Sequence, residues 1–300
     1  MPAGDAARRR RDRMGEGTVF ERFERSWDLA KACWRLLMAD KSLLLFPLMS
    51  LVALVTILAT FAVPLLPLIA FLFGVRGAQS QSAIMYLLLF IFYWIQFSVV
   101  IFFNTGLVEV ALKRFDGQAA TIGDGLSRAW SRIGIIMAYA LIAATVGIVL
   151  RYIAERVGLL GRIIIGLIGF AWSVATALVV PVLAAEDVGP FDAIERSVKL
   201  IKKAWGEDII GNAGIGLIFG LMTFVVILVG IAFEVMAIAA HSLGLALAVG
   251  ALFLLAIGVI TLAHTTMQGI YSAALYRYAD GDPTAGIDKA LLQNAFRPRK

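Results

Sequence analysis

Three polar side chains sit deep inside apolar stretches of this chain: Asn104, His264 and Gln268. His264 and Gln268 are four residues apart, so a helix places them on one face. At 1.5 Å per residue, Asn104 stands about 14 Å from Lys113, and His264 and Gln268 about 18 Å and 12 Å from Tyr276. Those depths fall near the midplane of a hydrocarbon core roughly 30 Å thick. Aligning the two surrounding segments on Gly106 and Gly269 sets Asn104 opposite Met267 and Thr105 opposite Gln268. Asn104, His264 and Gln268 are therefore expected to form one buried polar layer between the second and sixth spans. An imidazole with two amides can bind a small polar solute or hold a proton, and intramembrane ionisable residues tend to be functional. The competing role is interhelical hydrogen bonding at ~0.6–1 kcal/mol per contact, which is favoured because only one member ionises.

Other polar residues carry less. Glu109 lies about 6 Å from Lys113 and is expected to pair with it or with Arg114. Glu234 and His241 fall in an outer interface region, and the glycines at 211, 214, 216 and 220 read as close helix packing. There is no HExxH, no GxSxG and no phosphate-binding loop ending in Lys-Ser/Thr. DGQAAT at 116–121 shares the start of a lipid-head-group transferase signature, but Thr121 replaces its Arg and the later Gly and Asp residues do not follow. With two histidines and one cysteine, Cys33, neither a metal site nor an intramolecular disulfide is expected. No catalytic residue and no cofactor are expected, and an enzyme ranks below the readings given last in this subsection.

The elements that hold these residues follow from composition. The chain is 60% apolar and 16% charged, with a mean hydropathy of +0.86, whereas soluble domains carry roughly 25% charged residues. Its charges fall in blocks separated by apolar runs of membrane-spanning length. The expected fold is all-α: a polytopic membrane protein with six transmembrane helices arranged as three hairpins, and a cytoplasmic amphipathic helix before each. The spans are placed at 43–63, 84–112, 133–150, 163–185, from 209, and to about 275. Pro64 and Pro67 are expected to end the first helix, leaving 64–74 as an apolar segment at the far interface. His241, Ser242 and Gly244 mark the break between spans five and six. Segment 151–162 reads as an outer connection.

Residues 1–17 read as a disordered basic tail, 18–276 as a single membrane domain, and 277–300 as a cytoplasmic tail with a short helix near 287–296. No cleavable signal precedes the first span. The amphipathic helices are placed at about 20–39, 121–132 and 190–206. SRAW at 127–130 has counterparts in KACW (31–34), KKAW (202–205) and QNAF (293–296), which reads as an internal repeat. Trp27, Trp34, Trp130 and Trp205 are then interfacial anchors. Of 27 Lys and Arg, 23 fall in the segments placed inside, which puts both termini in the cytoplasm under the positive-inside rule. The same distribution accounts for the net charge of +6 without nucleic acid.

Residues 20–47, FERFERSWDLAKACWRLLMADKSLLLFP, carry a family pattern. Phe23, Arg25, Ser26, Trp27, Trp34, Asp40, Lys41, Leu43, Phe46 and Pro47 match it, with Ser42 where an acidic residue is expected. In this pattern and in its six-span layout the chain resembles the prokaryotic membrane proteins of domain-of-unknown-function family 6159. The resemblance implies fold and membrane location, and no activity. On the residues themselves, the expected role is a non-enzymatic component of the cell membrane. It would engage membrane lipids, anionic headgroups at the cytoplasmic face, or a membrane protein partner. A small-solute transporter or channel is the alternative, although no discontinuous midplane helix is evident.

Overall fold

A computed structural model describes residues 33–34, 37–38, 40–72, 83–203 and 207–280. Among these, every regular element is helical. A 3₁₀ turn at Lys41–Leu44 leads into α1 (Leu45–Leu72), followed by α2 (Ala83–Phe115), α3 (Ile122–Ser131) and α4 (Ile133–Arg156). Then come α5 (Leu159–Ala175), α6 (Val179–Ala185), α7 (Pro190–Lys203), α8 (Glu207–Ala239) and α9 (Leu243–Asp280). Six stretches are long and apolar enough to cross a membrane: Lys41–Pro64, Leu87–Phe115, Ile133–Arg156, Leu159–Ala185, Ile215–Ala239 and Leu243–Arg277. Most of their large apolar side chains are exposed, as expected of helices whose solvent is lipid.

The chain divides into two compact units. One comprises 45–114 and 118–203, hence α1, nearly all of α2, and α3 to α7. In it Phe92 of α2 packs among Ile57 and Phe61 of α1, and the Trp94 indole N–H donates to the Met137 carbonyl of α4 at 2.9 Å. The other unit takes the chain up to residue 44, 115–117, and everything from 204 on. There α8 and α9 pack along each other, with Phe233 against Phe253 and Gly230 beneath the Phe253 ring. Arg277 near the end of α9 pairs with Asp116.

Three expectations need correction. First, α1 does not stop at Pro64 but runs through Pro64 and Pro67 to Leu72. Each proline removes one N–H, freeing the carbonyls of Thr60 and Val63. Unwinding in hydrocarbon would strand several more backbone groups with no water to pair them, so continuing the helix costs less. Second, segment 151–162 is not an open connection: α4 extends to Arg156, and only Val157 and Gly158 lie between it and α5. Arg151 and Glu155 pair one turn apart there at 3.0 Å. Third, span four is two helices, α5 and α6, separated at Thr176–Leu178.

The break between α8 and α9 falls where expected. His241 has φ 53°, a left-handed conformation, and the Ser242 hydroxyl accepts from the Leu245 N–H at 3.3 Å to start α9.

Candidate functional site

The densest polar construction lies where α3, α6 and α7 meet the end of α2. α3 starts with a capping box: the Asp124 N–H donates to the Thr121 hydroxyl at 3.2 Å, and the Asp124 carboxylate accepts from the Thr121 N–H at 2.8 Å. The Thr121 amide and hydroxyl hold that carboxyl below its ordinary range. α3 then crosses α2 closely. A Cβ on Gly125 would sit 2.5 Å from the Gly106 carbonyl oxygen and 2.7 Å from the Phe46 ring, so no larger residue fits without displacement. Trp130, further along α3, meets Phe102 of α2 edge to face at 6.3 Å.

That crossing delivers Arg128 to the C-terminal end of α6. Its Nε donates to the Ala184 carbonyl at 2.6 Å, one of the unpaired carbonyls at the negative end of the helix. The same guanidinium stands 4.0 Å from Glu109 and 3.7 Å from Asp187. Glu109 is also held by Lys113 at 3.3 Å, the pairing read from sequence. Arg132 pairs with Asp187, and Arg196 of α7 with Glu186 at 2.8 Å. Burial, and secondarily the Arg128 charge, pull the Arg132 guanidinium below its usual value. Three arginines of the helices expected at 121–132 and 190–206, Arg128, Arg132 and Arg196, thus balance carboxylates of the protein itself.

At the other end of α6, Ser197 of α7 is fully buried and spans the break in span four. Its hydroxyl donates to the Ala175 carbonyl at 2.7 Å and accepts from the Leu178 N–H at 3.1 Å. These are backbone groups orphaned by the interruption, and in a dry setting each would be costly to leave unpaired. Pro181 supplies the reason for the break. In a continuous helix its ring would press on the Ala177 carbonyl, whereas as the third residue of α6 its missing N–H is not needed. Sequence reading missed Ser197 and the break, although Pro181 was a visible signal.

The expected polar layer is distributed over both units. Asn104 on α2 is half-buried and makes no hydrogen bond among the described residues. His264 and Gln268 lie on α9 of the other unit, half-buried and one turn apart as expected. The His264 ring stacks on Phe219 of α8 at 5.1 Å and 25°. Of the four tryptophans, Trp130 is 70% exposed and Trp34 half-exposed, while Trp27 and Trp205 lie outside the described residues. So do the 1–17 tail, most of the helix expected at 20–39, and the short helix near 287–296. Glu234 points at Gly250 of α9. Among the described residues, no three His, Cys, Asp or Glu side chains converge as a metal site would require.

A family model described as a family of unknown function, DUF6159, matches residues 83–286. The chain belongs to DUF6159. The DUF6159 match runs from the start of α2 past the end of α9, taking in the α3–α6–α7 junction, Ser197, His264 and Gln268. It does not include 20–47, the residues that carry the F-x-R-S-W and D-K-x-L pattern. No curated protein and no solved structure matches the chain.

Proposed function

We propose that this DUF6159 member is a non-enzymatic, multi-pass component of the cell membrane whose short helices α3 and α7 lie at the cytoplasmic interface and engage anionic lipid. One observation carries the reading: large aromatic side chains stand out of both short helices beside charged ones. Trp130 on α3 is 70% exposed and Phe191 on α7 is 72% exposed. α7 keeps Ala193, Ser197, Leu200 and Ile201 inward at steps of three and four, and turns Glu195, Lys199 and Lys202 outward. That is the amphipathic pattern of a helix lying in an interface. Arg128, Arg132 and Arg196 are engaged with carboxylates, and Lys199 pairs with Glu195 at 2.7 Å on the exposed face, a solvent-screened pair that lipid can open, so Lys202 and a released Lys199 supply the charge offered to lipid in this reading. Each contributes about 1 kcal/mol near an anionic surface. The test is native mass spectrometry of protein released from its own membrane, wild type against Lys199→Glu/Lys202→Glu. Retained anionic lipid that falls in the variant supports the reading; no anionic enrichment in either protein sinks it.

The broken span favours a second reading, a small-solute transporter or channel, since transporter sites are built at interrupted helices. Against it, the backbone groups freed at Ala175 and Leu178 are already satisfied by Ser197. Flux of a solute panel in proteoliposomes, lost on changing Asn104 or His264, would make this the leading reading.

A further inference from the structure

The α8–α9 pair holds two polar side chains that make no hydrogen bond among the described residues. Nε2 of His264 is buried and has no hydrogen-bond partner among the described residues. Gln268, one turn away on the same face, makes no hydrogen bond either among the described residues. The hydroxyls around them are turned to their own helix: Thr261 donates to Ile257, Thr265 to Thr261 and Thr266 to Leu262. Beside them stands the Phe219 ring, itself buried and parallel to the imidazole. Both helices span apolar stretches, so water is not at hand to pair these groups, and buried polar atoms left so are exceptional.

We propose that His264 and Gln268 form a membrane-embedded binding notch for a neutral hydroxyl group, walled by Phe219. The chemistry fits donor to acceptor. A hydroxyl can donate to the imidazole Nε2 and accept from the Gln268 amide N–H, groups one helical turn apart. Neutrality follows from the surroundings: Ile215–Thr223 and Ile257–Tyr271 contain no Asp, Glu, Lys or Arg. Glu234 faces Gly250, 14 residues or about 21 Å along α9 from His264. A charged ligand would find no counter-charge in these stretches of either helix and would not leave water for this position. The hydroxyl belongs either to a neutral lipid such as a diacylglycerol or to a small soluble polyol. This inference is independent of the anionic-lipid reading above and survives its failure.

The test uses the full chain, labelled with ¹⁵N-histidine, in lipid nanodiscs titrated separately with dioctanoylglycerol and with glycerol. The expected result is a saturable shift of the His264 Nε2 resonance with one probe and none at His241. Saturation by dioctanoylglycerol assigns a lipid hydroxyl, and saturation by glycerol a soluble one. Gln268→Leu should weaken that binding about tenfold, the loss of one hydrogen bond in a dry site, while His264 still reports. The proposal is overturned by no saturable shift with either probe or by an unchanged affinity in Gln268→Leu. Should Gln268→Leu fail to melt cooperatively, His264→Phe keeps a ring on Phe219. Saturation of α9 labelling by a diazirine analogue of whichever probe shifts His264 in wild type should then be lost in that variant; labelling equal to wild type would also overturn the notch.

Discussion

Ser197 closes the two backbone groups that the interruption of span four leaves open, so its hydroxyl has no substitute among apolar residues. Ser197→Ala should cost about 1–3 kcal/mol, the penalty of leaving a buried donor and acceptor unpaired rather than the net value of two hydrogen bonds. Chemical unfolding in mixed micelles would measure it, and a loss no larger than that of an exposed Ser131→Ala would show that the break is satisfied otherwise. Cys33 offers a second residue-level check, because burial pushes its thiol up to about 12. An exposed cysteine titrates near pH 8.5 and labels faster through that range. In the folded protein, maleimide labelling at Cys33 should stay slow, with no inflection between pH 7 and 9, and become fast on denaturation. Rapid labelling of native protein would place the thiol at the surface. His264 and Gln268 were legible as membrane-embedded polar residues from their spacing alone. That neither finds a partner on its own two-helix pair could not be read, because pairing depends on the neighbouring helix's register, which places Phe219 rather than a polar side chain at His264.

α3 is ten residues long, too short to be stable without help, and its N-terminal capping box supplies part of that help. Thr121→Ala should lower stability by about 1 kcal/mol near neutral pH. The pH dependence has a definite sign. Asp124 is held below its ordinary pKa of 3.8, so its contribution is complete above that value and disappears as pH falls through the lower folded pKa. The difference between wild type and Thr121→Ala should therefore be constant from pH 5 to 7 and shrink in stronger acid. A difference that grows in acid would mean the cap works without the carboxylate. Element boundaries show what sequence carried at this scale. Helices stand at Ile122–Ser131 and Pro190–Lys203, where short helices are expected at 121–132 and 190–206, and the α8–α9 break lies at His241–Ser242. Span four lies at Leu159–Ala185, around the expected 163–185, but its interruption is not legible, because a largely apolar 23-residue run suffices for one helix and its one proline says nothing of a partner for the backbone it frees.

For the whole chain, the charge distribution predicts orientation. In a Cys33→Ser background, a cysteine at Ser242 should react with a membrane-impermeant reagent added outside intact cells, and one at Lys300 should react only after lysis. The reverse pattern would invert the topology and move α3 and α7 to the outer interface. Membrane residence, the approximate spans and the DUF6159 relationship were all present in the sequence, because burial in lipid demands long apolar helices and leaves charge only between them. The tertiary structure decided what proline does. Pro64 and Pro67 sit inside an unbroken α1, whereas Pro181 follows a break, and the local sequences are equally apolar. The difference is Ser197, brought from 19 residues beyond Leu178 to pair the backbone that a break exposes; no such side chain is described at Thr60 or Val63. Tertiary packing likewise makes Arg128, Arg132 and Arg196 partners for the carboxylates of Glu109, Asp187 and Glu186. Charge type is written in the sequence, but the groups that satisfy it are chosen by which helices meet.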